Sequence, residues 1–155
     1  MKPLLFLVTA LWNTGIIGAS AEDANVRARV PIVILARRFD LPRLCGTPVK
    51  VDACTAFVGQ RLTCVCEARD GGWRITAHAQ FIPVMYVLGA DRVGHERDHI
   101  GDIETALSSY LQTLQRRQFA TSSDCEDVAA NEMSRFTQIM DNFKRESNAK
   151  RHPRY

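Results

Sequence analysis

The chain has 155 residues, of which 46% are hydrophobic and 24% charged, and its formal net charge is +3. This composition is typical of a globular protein and excludes disordered and collagen-like chains. The length leaves room for one compact domain, which excludes elaborate multi-domain enzymes.

The first residues have the pattern of a secretory signal peptide. A positive start at Met1-Lys2 precedes an apolar run from Pro3 to Trp12, and Ala19-Ser20-Ala21 has the small-x-small pattern of a cleavage site. The apolar run is shorter than the ~20 residues that a membrane span needs. We therefore expect a signal peptide at residues 1–21, export to the periplasm or the extracellular space, and no stable membrane span after cleavage.

Five cysteines follow this segment: Cys45, Cys54, Cys64, Cys66 and Cys125. In an oxidising compartment they predict up to two disulfides and a leftover thiol, and the spacing alone does not select the pairing. A metal or redox pair at Cys64 and Cys66 is less consistent with the pattern, because structural metal sites favour two to four residues between ligands.

The segment from about Glu22 to Asp91 has the pattern of β structure. Asp70-Gly71-Gly72 predicts a hairpin turn, and the strictly alternating Trp73–Ala79 after it predicts a half-buried antiparallel strand. A further apolar run, Phe81–Leu88, is interrupted by Pro83, which indicates a sheet edge or a bulge. Earlier strand-like runs, separated by turn residues, lie at residues 30–35, 47–53 and 61–66.

From Asp91 the spacing of apolar residues becomes helical. It predicts a first helix with Asp91 as N-cap, ending near Arg117, and a second helix from Ser122 or Ser123 with Glu126 in capping-box position. The predicted inward stripe of the second helix is Cys125, Val128 or Ala129, Glu132, Phe136, Ile139, Phe143 and Glu146. The predicted fold class is α+β, a small antiparallel sheet followed by an α-helical hairpin.

The end of the chain is basic. Residues 144–155 contain five basic residues against one acidic residue, so we predict a single domain at 22–148 and a basic C-terminal tail at 149–155. No basic face with interleaved aromatic residues is apparent, so nucleic acid is not an expected partner.

The first predicted helix contains His95-Glu96-Arg97-Asp98-His99, a complete H-E-x-x-H. Residues four apart lie on one helical face, so both imidazoles can bind one zinc ion while Glu96 reaches a metal-bound water as general base. The competing interpretation is a solvent-facing helix start, in which the histidines and Glu96 are surface residues beside Arg97 and Asp98 and bind no metal.

This motif, with the signal-peptide pattern, the short sheet and the two helices, resembles the zincin-type family of predicted secreted zinc-dependent proteases over about Trp73 to Asn148. The resemblance implies a zincin-like fold, a Zn²⁺ cofactor held by His95 and His99, Glu96 as general base, and a peptide or protein substrate. In such proteases an edge strand beside the helix holds extended substrate; Trp73–Gln80 or Phe81–Leu88 is the expected strand here.

The third zinc ligand is left open by the resemblance. The family has His-Gly after its second helix, whereas this chain has Ser147-Asn148-Ala149-Lys150. Catalytic zinc usually takes three protein ligands, and an antiparallel helical hairpin places position 145 at the level of His95. We therefore predict Glu146 as third ligand, with His152 as the alternative. The remaining options are Asp102, Glu104, Asp141 and a site completed by water.

Four further residues have predicted roles. Asp102 shares the helical face of the ligands, so it is expected to hydrogen bond to an imidazole. Glu132 lies too far along the second helix for the metal and is expected to make a structural hydrogen bond or ion pair. His78 and Tyr86 are candidate contacts for substrate or a transition state, although an exposed strand histidine and a packing aromatic residue are competing interpretations.

The sequence thus predicts a secreted or periplasmic zinc-dependent metallopeptidase that hydrolyses peptide bonds through a zinc-activated water. The alternative is a non-catalytic, secreted, disulfide-stabilised binding or interaction module on a zincin-like frame, because the short mature chain leaves little room for the second lobe that usually walls a protease cleft.

Overall fold

The computed structural model describes residues 16–17, 31–34, 40–45 and 51–152. It has the predicted mixed α+β composition, a small sheet covered by two long helices. The strands are β1 (Ile16–Ile17), β2 (Ile32–Ile34), β3 (Ala53–Arg69), β4 (Gly72–Val87) and β5 (Gln118–Phe119), and the helices are α1 (Asp40–Cys45), α2 (Val93–Gln115) and α3 (Ser122–Arg151).

The hairpin of β3 and β4 is the centre of the sheet. Its turn lies at Asp70 and Gly71, with φ of 47° and 78°. Positive φ at both central residues is the requirement of the tight turn that matches strand twist, and Asp-Gly meets it with little strain. The predicted hairpin turn is therefore confirmed.

The two predicted runs after this turn form one continuous strand, β4, with Pro83 in its interior. Met85 donates its backbone N–H to the carbonyl of Pro31, on the side of β4 away from β3. The backbone N of Pro83 has the same orientation, since N–H groups alternate along a strand. Its missing N–H therefore costs no bond to β3, whose register is shifted nearby, between Val58 and Arg61.

The predicted edge strand is wrong, because both runs belong to β4 and β4 has neighbours on two sides. β3 pairs with it along one side, and β5, β1 and β2 pair with it at successive positions along the other. Within the described residues the open edge belongs to β3. The sheet is also not purely antiparallel, since β2 runs parallel to β4.

Ile16 and Ile17 of β1 fall within the predicted signal peptide and pair with Gln80 and Ala79 of β4. The rest of the predicted signal peptide and its cleavage site lie outside the described residues. Cleavage at that site would remove this two-residue ladder from the sheet. No helix in the described part of the chain is long and apolar enough to cross a bilayer.

The core lies between one face of the hairpin and the two long helices. α2 packs chiefly on β4 and α3 chiefly on β3. Alternate residues of β4 face these helices, as the alternation predicted, and the burial of apolar side chains between the layers is the main stabilising contribution. The buried members from the helices include Ile100, Ile103, Leu107, Leu111, Leu114, Ala129, Phe136 and Met140.

Two disulfides link these elements, as the cysteine count predicted. Cys45–Cys54 joins α1 to β3, and Cys66–Cys125 joins β3 to α3. Cys64 is the free thiol. Disulfides persist in oxidising compartments, so this pair of bonds fits an exported protein.

The reactivity of the free Cys64 thiol tests how far the fold buries it. Burial, and next the nearby Glu132 carboxylate, raise the pKa of Cys64 from 9.0 to about 11. A shift of this size lowers the thiolate fraction about 100-fold. We expect iodoacetamide to label the native protein about 100-fold more slowly at pH 8 than the urea-unfolded, unreduced protein.

The same shift predicts the sign of a pH effect on stability. The folded chain retains the thiol proton to higher pH than the unfolded chain, so the free energy of unfolding should fall as pH rises from 9 to about 11. Urea titrations of the wild type and Cys64→Ser measure this fall, which should be smaller in the variant. A part remains above pH 10, because burial also raises the pKa of the Tyr110 hydroxyl above its ordinary value of 10.0. For the labelling experiment, equal rates of iodoacetamide labelling in native and urea-unfolded wild type would contradict the burial of the Cys64 thiol.

Candidate metal centre

The H-E-x-x-H motif occupies the first two turns of α2. The predicted N-cap, Asp91, instead lies in a 3₁₀ turn, Ala90–Arg92, and α2 begins at Val93 without a side-chain cap. Because residues four apart are neighbours on a helix, the Nε2 atoms of His95 and His99 lie 3.1 Å apart. The predicted pairing of these two imidazoles on one face is present.

A third imidazole, that of His152, completes the cluster. Its Nε2 lies 3.1 Å from Nε2 of His95 and 3.3 Å from Nε2 of His99. His152 is the C-cap that follows Arg151, the last residue of α3, so the end of this helix meets the first turns of α2. Three ring nitrogens so close together could bind a single metal ion.

Glu146, the predicted third ligand, is exposed and does not belong to this cluster. His99 contacts Ser147 in the antiparallel α3, so the level of His95 corresponds to position 151 and not to 145. The predicted register is therefore wrong by six residues, or about 1.7 turns. The buried stripe of α3 also departs from the predicted one near its end, passing from Met140 to Ser147.

The chain continues as helix through the first residues of the predicted basic tail. α3 ends at Arg151. Lys150 and Arg151 each approach the carboxylate of Asp102 to 2.6 Å, and Arg151 also pairs with Asp98 at 2.9 Å. The two pairs with Asp102, whose side chain is largely buried, hold the end of α3 against α2, where His152 reaches the motif. The Asp98 side chain is exposed.

Asp102 acts on an imidazole through an intermediate hydroxyl, whereas the sequence predicted direct contact. Nδ1 of His99 lies 2.8 Å from Oγ of Ser147, which donates to Oδ2 of Asp102 at 3.2 Å. Sequence reasoning missed Ser147, because a serine in a helix is not distinctive until the offset of the two helices is known.

The surroundings of His99 keep its imidazole neutral. Burial, and then the electrostatic influence of His95, His152 and Arg151, lower the pKa of His99 from 6.5 to about 4, whereas Asp102 opposes the shift. A metal ligand must be the neutral imidazole. The site therefore holds His99 in the protonation state that metal binding requires.

Glu96 lies on the β3 side of the cluster and is only 4% exposed. Its Oε2 accepts a hydrogen bond of 2.8 Å from Oγ1 of Thr55. Burial raises the pKa of Glu96 above its ordinary value, while the Thr55 bond and the nearby His95 and His152 oppose the rise. Thr55 is 41 residues away in the chain, and no local pattern marks it.

The structure does not bring His78 or Tyr86 to this cluster. Thr55, which bonds Glu96, pairs with buried Met85, and antiparallel partners share one face of the sheet. Side chains alternate along a strand, so His78 and Tyr86 occupy the opposite face. His78 is exposed there and Tyr86 half-buried.

The other acidic candidates lie outside the cluster. Asp141 pairs with Lys144 at 2.8 Å, and Glu104 is an exposed position of α2. Glu132 is buried, accepts a hydrogen bond of 2.9 Å from the Tyr110 hydroxyl and pairs with Arg117. Its predicted structural role is confirmed.

Comparison of the chain with family models, curated proteins and solved structures finds no match. The resemblance to zincins therefore depends on the motif, and function has to be argued from the chemistry of the site.

Proposed function

We propose that this protein is an exported zinc-dependent metallopeptidase. The observation that carries the proposal is the convergence of three Nε2 atoms, within 3.1 to 3.3 Å of one another, beside a buried glutamate. Two histidines and the glutamate come from one H-E-x-x-H, so the donors and the base have a fixed relation on one helix.

The donor set supports zinc as the metal. Three imidazoles with a remaining open position form a ligand set of catalytic zinc sites, in which the fourth position takes water or substrate. Imidazole also suits copper, nickel and iron, but H-E-x-x-H favours zinc. His95, His99 and His152 would hold the ion.

In peptide hydrolysis the metal ion and the side chains of the protein would have different roles. When bound, zinc supplies a Lewis acid that polarises a substrate carbonyl and lowers the pKa of a water. The Glu96 carboxylate takes a proton from the attacking water and transfers it to the leaving amine as the peptide bond breaks. Thr55 orients that carboxylate by its hydrogen bond, and burial excludes bulk water from it.

The peptide class of substrate is supported by the open edge of β3. Over the described ranges, β3 pairs only with β4, and it carries Thr55 next to Glu96. An extended polypeptide can add to such an edge through backbone hydrogen bonds. A substrate strand on β3 would therefore pass close to the cluster.

Metal content and a peptide-library digest test the proposal. Protein purified without chelators should contain stoichiometric zinc and cleave library peptides. A chelator should remove both the zinc and the cleavage, and added zinc should restore cleavage. Absence of stoichiometric zinc, or cleavage that persists after chelation, would overturn the proposal; bound zinc without cleavage would instead favour the non-catalytic module.

A further inference from the structure

A hydrogen-bonded chain connects His99 to the end of α3 through Asp102. We propose that Asp102 is a positioning residue for both helices of the metal centre, orienting His99 through Ser147 and holding His152 in place through Arg151. This inference rests on the metal binding of the proposed function and does not depend on its hydrolytic step.

The connection to His99 follows from counting hydrogens. Hydrogen bonds from Arg151 and next from Lys150 hold the pKa of Asp102 well below its usual range, so its carboxylate only accepts. The single hydroxyl hydrogen of Ser147 goes to Asp102. The Ser147 oxygen can then only accept from His99, so Nδ1 of His99 carries the ring proton.

This assignment fixes the function of the other ring nitrogen. A neutral imidazole has one N–H, so with the proton on Nδ1, Nε2 of His99 presents its lone pair. Nε2 is the atom that faces His95 and His152. Ser147 is 3% exposed and the Asp102 side chain 14% exposed, so bulk water has little access to replace this connection.

The connection to His152 is a bidentate ion pair between Arg151 and Asp102. Nε of Arg151 donates to Oδ2 of Asp102 at 2.6 Å, and Nη2 donates to Oδ1 at 3.1 Å. Such bidentate pairs fix geometry as well as adding energy. Arg151 immediately precedes His152, whose backbone N–H bonds the Asn148 carbonyl at 2.8 Å. The ion pair therefore holds the helix end, which would otherwise fray, where the imidazole meets the cluster.

Three variants separate the two connections. Ser147→Ala removes only the connection to His99. Arg151→Gln removes the bidentate part of the anchor of His152 and leaves the Lys150–Asp102 pair, whereas Asp102→Ala removes all of these contacts. Zinc affinity is measured by competition with a chromophoric chelator, and ligand geometry by the visible absorption of the Co²⁺-substituted protein. Loss of an outer hydrogen-bond partner costs about 10- to 100-fold in metal affinity, so each single cut should weaken zinc binding by about that factor.

The coupling gives a sharper expectation. Asp102→Ala should weaken zinc binding by at least about the product of the two single losses, because it also removes the Lys150 pair. Adding Ser147→Ala to it should change the affinity little further. The Co²⁺ absorption should change in all three variants. Ser147→Thr, which retains the hydroxyl, should restore most of the affinity lost in Ser147→Ala.

Asp98→Ala is the matched control. Asp98 also pairs with Arg151, but its side chain is 57% exposed. It does not belong to the series of hydrogen bonds that connects Asp102 to His99. A pair this exposed contributes little, so zinc affinity should stay within a few-fold of wild type. Urea unfolding of the metal-free variants shows whether each one folds.

Two outcomes would overturn the inference: wild type that binds no zinc, or Asp102→Ala with unchanged zinc affinity and Co²⁺ absorption. The second would leave Asp102 as a purely structural ion-pair partner even if metal-free stability falls. Failure of the hydrolytic proposal is a separate result, seen as zinc-loaded wild type that does not cleave peptides.

Discussion

Replacement of His152 by alanine is expected to weaken zinc binding by more than about 100-fold. Loss of an outer hydrogen-bond partner costs about 10- to 100-fold, and loss of a ligand should cost more. The reason is that Nε2 of His152 lies within 3.3 Å of both Nε2 atoms of the motif, so the variant lacks one of three donors. Chelator competition measures the affinity, and a peptide digest at limiting zinc should show a matching loss of cleavage.

Glu146→Ala is the matched control for this change, since it removes the residue that the sequence placed first. Glu146 is exposed on α3 and outside the cluster, so zinc affinity should stay within a few-fold of wild type. Weakened binding in Glu146→Ala with normal binding in His152→Ala would show that the helix register assigned to the site is wrong.

This pair of variants marks the boundary of what the sequence could predict at the site. His95, Glu96 and His99 were predictable because they lie in one helix, where the 3.6-residue period fixes their relation. His152 is 53 residues from His99, and its position depends on how far α3 is displaced along α2. No local pattern contains that offset.

The fold has a similar boundary. Alternation in β4 identified the buried face, and the Asp-Gly turn identified the hairpin, because both signals lie within a few residues of one another. The neighbours of β4 did not follow, since β1, β2 and β5 are only two or three residues long and pair across long chain separations. The predicted edge strand failed for that reason.

The links at the two ends of α3 explain how so small a chain could maintain the cluster. α3 has 30 residues and is therefore about 45 Å long. Cys66–Cys125 ties its first turn to β3, and the Asp102–Arg151 pair ties its last turn to α2. Both ends are fixed, so His152 meets the motif although it follows the last helical residue.

Glu96→Gln is expected to lower peptide hydrolysis by about 10²- to 10⁴-fold, the usual contribution of a positioned acid–base group, while zinc affinity changes by no more than a few-fold. The amide oxygen of glutamine can still accept the Thr55 hydrogen bond, so the packing around this buried position is retained. An amide cannot take the proton of the attacking water, so only the chemical step is affected. A peptide-library digest of zinc-loaded wild type and variant measures the loss.

Glu104→Gln is the control for this last comparison, because it makes the same chemical change about two turns further along α2 at an exposed position. Its digest should match that of wild type. Identical digests for wild type and Glu96→Gln, with zinc bound in both, would exclude Glu96 as the catalytic base. The three histidines would then hold a metal in a protein whose function is binding, the alternative that the short chain itself suggested.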